Sequence, residues 1–472
     1  MAASFEEVCS KVLKRVVPKG TERRRILDLS EGVRRKVVEC GAEFGLEAEV
    51  RLDGSVAKDT WLSGEADIDI FMRVPTSLSR EEMEEKSLTI ARNAMEGYRV
   101  VERFAEHPYV EAWVNGSRVN IVPCYSVEKG KWLSATDRTP FHTDYMKTKL
   151  DEKLRNEVRL LKKFMKGTGI YGAEIKVGGF SGMLCETLTL FYGSFQEIIR
   201  AASDWRRRQV IDLEGYYADR EDEIHDLFEE PLIVIDPVDG GRNVAAAVSE
   251  KRFWEFVSAA REFSMKPGLK FFYPTPLKAL RKNELVKIIK QRGSSLVCMQ
   301  FGEVNAVVDV LWSQLYKTES ALKNLFKEND FEVIRSACWT DEKEFNAILF
   351  ELNNATLPTA KKHLGPPVTK RKESDKFLRK HIGAKDTVSG PWIEKDRWIA
   401  EKTRKHADAK ILLRQSLVEG GRGVGVAAKI AQSVKKDLRI LLNEEVVKLC
   451  KTNKNFALFL SEYLVGRPPW LA

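Results

Sequence analysis

Apolar residues spaced three and four apart run through the first 45 positions and predict two helices, in "FEEVCSKVLKRVV" and "LSEGVRRKVVECGAEFG", separated at Pro18-Lys19-Gly20. The period then shortens. "AEVRL" leads into a Gly54-Ser55 turn and a short helix, and "ADIDIF" alternates polar with apolar residues as a strand does. An amphipathic helix is expected over about 80–96. "YVEAWV" and "RVNIVP" flank Asn115-Gly116, the strongest short-range signal for a two-residue hairpin turn. The first 145 residues thus read as mixed α/β around a small sheet.

From Lys149 to about Ala202 the pattern is helical, as in "NEVRLLKKFMK" and "LCETLTLFYGSFQEIIRAA". "DWRRRQVIDLEG" and "PLIVIDPVDGGRNVAAAVS" then read as strands leading into a turn, with Arg242 expected on a loop. A third region alternates helix and strand, from "LRKNELVKIIKQRG" to "EFNAILFEL", and predicts an α+β sandwich of ferredoxin or RNA-recognition type. Beyond Gly365-Pro366-Pro367 a basic, mostly helical tail is expected. Close glycines in "EGGRGVGVAAK" read as a flexible turn, because no strand leads into them. The fold class is therefore multidomain α+β, with domains expected at 1–148, 149–258, 259–365 and 366–472.

Composition narrows the class. An apolar fraction of 43% and a mean hydropathy of −0.32 describe a soluble globular chain. No apolar run approaches the roughly 18 residues that span a bilayer. The opening residues lack the apolar core of a signal peptide, which points to the cytoplasm and no membrane partner. Seven scattered cysteines, none in a CxxC, support neither a disulfide framework nor a zinc knuckle. "NGS" at Asn115 reads as a turn. Of the net charge of +9, nearly all lies between Lys361 and Lys410, where eleven Lys and four Arg face seven carboxylates. With Phe377, Trp392 and Trp398 among them, these cations favour a polyanion such as nucleic acid.

The chemistry sits in the alternating strand. Asp67 and Asp69 project from one face, where two like charges repel unless a cation lies between them. Mg²⁺ or Mn²⁺ suits two carboxylates and bridges readily to phosphates. The Gly54-Ser55 turn offers backbone N–H groups and a hydroxyl to a phosphate that glycine allows to come close. Phosphate cradle plus metal-binding strand describes nucleotidyl transfer by two metals. Either motif alone is common on solvated strand ends and turns; their order, spacing and a second strand ending "NIVPCY" reduce the scope for accident.

These segments, with "ATDRTPFHTDYM", "NEVRLLKKFMKGTGIYGAEIKVGGFSG", "LFYGSF" and "VIDPVDGGRNVAA", resemble the archaeal-type (class I) CCA-adding enzymes, tRNA nucleotidyltransferases of the polymerase-β-like superfamily. The resemblance is close over at least the first 260 residues. It implies a polymerase-β-like nucleotidyltransferase head, a central neck completing the nucleotide pocket, an α+β body and a basic tail for tRNA. It implies CCA addition to tRNA 3′ ends from CTP and ATP without a template, by a homodimer. Matched positions make Asp67 and Asp69 the metal ligands and place Gly54, Ser55 and Lys58 at the triphosphate; Lys58 stands where the family carries arginine. His142, Lys162 and Tyr171 match residues holding the incoming nucleotide, and Arg242 the arginine that reads the base edge with the tRNA backbone. The third carboxylate of the family, in a pattern like "VDVVPCY", is Asn120 here. Asparagine keeps an oxygen for a metal but brings no negative charge and cannot accept the proton of an attacking hydroxyl. An impaired enzyme is therefore expected. Two alternatives stay open: a tRNA-binding protein that no longer extends its RNA, and another template-independent RNA polymerase such as a poly(A) polymerase.

Overall fold

Ser4 and Glu7 form a reciprocal capping box that starts helix α1 (Phe5–Val16), whose Val8, Val12 and Val16 stripe is buried. The computed structural model describes residues 4–104 and 106–471. They fold as two compact units, Met1–Pro276 with Pro468–Ala472, and Leu277–Arg467.

In the first unit α1 is followed by α2 (Gly20–Glu43), β1 (Glu49–Asp53), α3 (Gly54–Ala57), β2 (Asp67–Val74), α4 (Arg80–Ala94), β3 (Arg99–Phe104), β4 (Pro108–Val114) and β5 (Ser117–Tyr125). The sheet order is β1-β2-β5-β4-β3, and only β2 and β5 run parallel. Asn115 and Gly116 both take positive φ, 50° and 78°, as the β4–β5 hairpin turn requires. Ile68 and Ile70 are wholly buried in one core with Ile26, Val33 and Val37 of α2 and Met83 and Ile90 of α4. The helices thus cover one face of the sheet and leave the aspartate face to the site.

Next come α5 (Arg138–Lys149), α6 (Glu152–Thr168), α7 (Gly182–Tyr192), α8 (Phe195–Ala202), β6 (Gln209–Ile211), α9 (Glu221–Leu227), β7 (Leu232–Asp236), β8 (Asp239–Asn243) and α10 (Glu250–Met265). The helical run after residue 182 breaks at Gly193, φ +79°, and Ser194 caps α8. Arg242 does not sit on a loop: "DGGRN" pairs antiparallel with β7 as strand β8, and the turn is Pro237-Val238. Phe164, Phe195, Phe263, Phe271 and Phe272 form the centre of this region's core, and Trp470 stacks on Phe271 with ring centroids 5.7 Å apart.

The second unit contains α11 (Lys282–Arg292), β9 (Ser295–Phe301), α12 (Val308–Glu328), β10 (Val333–Thr340), β11 (Asn346–Leu352), β12 (Ala360–Pro367), α13 (Arg371–His381), β13 (Thr387–Glu394), β14 (Arg397–Thr403), α14 (Ala409–Leu417), α15 (Ala428–Lys436), β15 (Leu438–Leu442), α16 (Glu444–Leu449) and α17 (Lys454–Val465). Its main sheet, β10-β11-β9-β15, is antiparallel throughout and has the strand order of a ferredoxin-type sandwich. The fourth strand comes from Leu438–Leu442, inside the segment expected to be a separate tail. The expectation of a mostly helical tail is also corrected at its start. Residues 360–403 build a second sheet, β12-β14-β13, with α13 between its first two strands in sequence.

Candidate active site

The parallel register of β2 and β5 places Asp67 beside Arg118 and Asp69 beside Asn120. Because strand side chains alternate, these four share the face opposite Ile68 and Ile70. Asn120 donates from Nδ2 to Asp69 Oδ1 at 2.8 Å. Its own Oδ1 is buried without a hydrogen-bond partner among the described residues. Burial pushes the Asp69 carboxyl up to about 6, against the hydrogen bond from Asn120. Asp67 is partly exposed, and Arg118 holds both its oxygens, Nε at 2.9 Å from Oδ1 and Nη2 on Oδ2. Arg118 Nη1 also lies 3.5 Å from Glu111 Oε2. Glu111, opposite Asn120 on β4, is buried and takes two hydrogen bonds from Arg103 on its other oxygen.

Gly54 joins β1 to the single turn of α3. Its φ is +70°, and a Cβ there would lie 2.0 Å from Asp69 Oδ2, so both backbone and neighbour require glycine. Ser55 follows in α3, and its carbonyl accepts the Thr60 N–H at 3.0 Å. The turn and the aspartate strand are thus in contact, as the phosphate-cradle reading needs.

The two lysines meet on a group that sequence reading overlooked. Lys58 Nζ is 2.5 Å from Glu186 Oε2 and Lys162 Nζ is 3.0 Å from Oε1, which also accepts from Thr60 Oγ1 at 2.6 Å. Glu186 is fully buried. Burial alone would raise its carboxyl, but the Lys162 and Lys58 ammonium groups overcome that and hold it down at about 2. Tyr171 and Lys162 both adjoin Gly182: a Cβ there would lie 3.2 Å from the Tyr171 hydroxyl and 3.6 Å from Lys162 Nζ. Burial pushes the Tyr171 phenol well above its ordinary range.

His142 and Arg242 meet on a second buried carboxylate. His142 Nε2 is 2.9 Å from both oxygens of Asp236, and Arg242 Nη1 donates to Oδ2 at 2.7 Å. Asp236 is fully buried at the end of β7; burial raises its carboxyl, and His142, the Val238 N–H and Arg242 lower it below its ordinary value. Glu186 had a visible signal, the sole charge in the apolar stretch "MLCETLTLFY", and Asp236 terminates the apolar run "LIVI".

Among the described residues no three His, Cys, Asp or Glu side chains are grouped to hold a metal ion. What the strands offer is two carboxylates and the orphaned Asn120 oxygen, a hard-oxygen set that fits Mg²⁺ or Mn²⁺. A nucleotidyltransferase sheet with a glycine–aspartate contact and two lysines and a histidine–arginine pair anchored nearby defines the class: this is a nucleotidyltransferase.

Family profiles agree along the chain. A nucleotidyltransferase domain matches residues 34–142, the second domain of tRNA nucleotidyltransferases matches 156–273, and the C-terminal domain of CCA-adding enzymes matches 292–443. The CCA-adding enzyme of Methanosarcina barkeri is 38% identical over 462 residues, covering 97% of this chain and 98% of that protein. That of Methanothermobacter thermautotrophicus is 38% identical over 471 residues, covering 98% of each. That of Archaeoglobus fulgidus is 35% identical over 444 residues, covering 94% and 96%. A cytoplasmic RNA terminal U-transferase aligns with 58% of this chain and 99% of its own, at 15% identity and a TM-score of 0.45. The chain belongs to the CCA-adding enzymes, a family of tRNA nucleotidyltransferases.

Proposed function

We propose that this chain adds C, C and A to the 3′ end of tRNA from CTP and ATP. The observation that carries the reading is the Asp67–Asp69 pair in register with Asn120 and in contact with Gly54, beside lysines, histidine and arginine held on buried carboxylates. Asp67, Asp69 and the free oxygen of Asn120 would hold Mg²⁺, with Mn²⁺ an alternative; the metal supplies charge neutralisation for the triphosphate and acidifies the attacking hydroxyl. Gly54, Ser55 and Lys58 serve the triphosphate, with Lys58 acting as a point charge on a spring-like stem instead of an arginine fork. Glu186 fixes Lys58 and Lys162 in one place while leaving the cluster a net positive charge. His142 and Lys162 contact phosphates, Tyr171 the sugar or a phosphate, and Arg242 the base edge.

Asn120 makes the site weaker than its carboxylate counterpart. It donates to Asp69 where an aspartate would add a second charge, and it cannot take the proton of the 3′-hydroxyl. The rate is lower by about 10²-fold or more for that reason, with tRNA and nucleotide binding retained. The four-part layout follows the same reading: 1–148 carries the catalytic strands, 149–258 completes the nucleotide pocket, 259–365 is the body and the basic 366–472 segment holds the tRNA acceptor and T stems. The working form is a cytoplasmic homodimer, checked by light scattering.

Labelled CTP and ATP, Mg²⁺ and tRNA lacking its CCA test the reading, comparing the parent with Asn120→Asp. Faster incorporation by Asn120→Asp is the expected result. If both stay silent while tRNA binds, the second reading, a tRNA-binding protein that has lost catalysis through Asn120, replaces it.

A further inference from the structure

A cavity of about 570 Å³ opens beside β6 in the first unit, and none of the residues assigned above lines it. Its wall carries three consecutive arginines, Arg206, Arg207 and Arg208, with Phe191, Asp212 and Tyr217. The volume lies in the range that takes a small organic ligand.

Two buried atoms on this wall are orphaned: the donor Arg208 Nε and the acceptor Asp212 Oδ1. Neither belongs to a loose side chain. Arg208 Nη2 donates to the carbonyls of His225 and of Phe228, the latter at 2.8 Å, and Asp212 Oδ2 accepts the Tyr217 N–H at 2.8 Å. One end of each group is pinned and the other is left to satisfy itself on something else. Buried polar atoms are nearly always paired, so an orphaned donor and acceptor lining one cavity need a common explanation.

The charges point the same way. Arg206 is exposed and has no ion-pair partner among the described residues. Arg207 pairs with Glu250 at 3.2 Å, but both ends are more than half exposed and such a pair exchanges readily. Phe191 is 44% exposed, its ring set against Tyr192. Guanidinium groups suit phosphate oxygens, an open aromatic face suits a base, and a fixed donor–acceptor pair suits the polar edge of that base.

We infer that this cavity binds a phosphorylated nucleoside, as a free mononucleotide or as one nucleotide of an RNA. Inorganic phosphate would engage only the arginines.

Equilibrium dialysis on the full chain in EDTA, with labelled CMP, AMP, inorganic phosphate and a 5′-phosphorylated RNA tetranucleotide, tests it. The double variant Arg206→Glu with Arg207→Glu should weaken nucleotide binding at least tenfold. Asp212→Asn and, separately, Phe191→Ala should weaken CMP, AMP or the tetranucleotide at least threefold and leave inorganic phosphate unchanged. Losses confined to the tetranucleotide identify RNA as the source, and losses that include CMP or AMP identify free nucleotide. Unchanged binding in the double variant overturns the inference, as does a cavity that takes inorganic phosphate as well as nucleotides and ignores both Asp212→Asn and Phe191→Ala. The CCA-incorporation assay does not enter this result, so the two readings fail independently.

Discussion

Arg118 and Asp67 are register partners on the parallel strands β2 and β5, and one guanidinium occupies both oxygens of that aspartate. The arginine is therefore a resident cation on a carboxylate that a divalent ion also needs. Glu111 lies 3.5 Å from the same guanidinium and offers it a second seat.

Arg118→Gln removes the competitor. Half-exposed ion pairs are worth about 0–1 kcal/mol, so Mn²⁺ should bind the nucleotide-free protein up to about fivefold more tightly. Titration of free Mn²⁺ by electron paramagnetic resonance measures this. Weaker binding by Arg118→Gln would show that the arginine organises the site instead of competing for it.

Gly54→Ala places a methyl 2.0 Å from Asp69 Oδ2 and forces an L-residue to φ +70°. The backbone alone costs about 1–3 kcal/mol. Thermal unfolding should shift down, and incorporation should fall about 10²-fold or more because Asp69 is moved off its position. A variant with parental rate would remove the glycine–aspartate contact from the account.

Glu186→Gln leaves two buried ammonium groups without their shared carboxylate. Removing one partner from such a pair costs about 3–5 kcal/mol. The pH dependence carries a definite sign. Glu186 is lowered from the ordinary 4.5 to about 2, so its stabilisation is complete above about pH 5 and is lost as pH falls from 4.5 towards 2. Urea-unfolding midpoints between pH 3 and pH 7 should fall less steeply with acid in Glu186→Gln than in the parent. Parallel curves would mean that Glu186 is not the group that titrates.

Asp236→Asn removes the charge on which His142 and Arg242 converge. Hydrogen bonds to charged groups contribute about 1.5–3 kcal/mol, which sets a rise in KM for CTP and ATP of about 10- to 100-fold. Affinity for tRNA, measured by filter binding, should stay within about threefold of the parent. An equal loss of both would indicate general unfolding of the β7–β8 hairpin.

The catalytic face was legible because a strand has period two: Asp67 and Asp69 must point together, Ile68 and Ile70 must point away, and both pairs do. Asn115-Gly116 announced its hairpin for an equally local reason. The anchoring carboxylates were not legible, since Glu186 meets Lys58 across 128 positions and Asp236 meets His142 across 94. No spacing rule reaches that far. Strands β12 to β14 were hidden by composition. "AKKHLGPP" and "TVSGPWIE" place Lys, Gly and Pro where sheet interiors carry Val and Ile, because a small, largely solvent-facing sheet has little apolar surface to declare itself. Arg242 was misread because Gly240-Gly241 signals a turn, whereas here the glycines pair within a strand.

The last strand of the ferredoxin-type sheet bears on how the protein is made. β15 pairs with β9, yet β12, β13 and β14 are synthesised in between. A nascent chain paused before Leu438 presents β9 as an unpartnered edge whose Leu296, Val297, Met299 and Phe301 are destined for the interior. Such an edge invites pairing with other chains. Ribosome pausing or a nonsense codon in that interval would therefore send this protein to chaperones or inclusion bodies, even with every residue of the catalytic head intact.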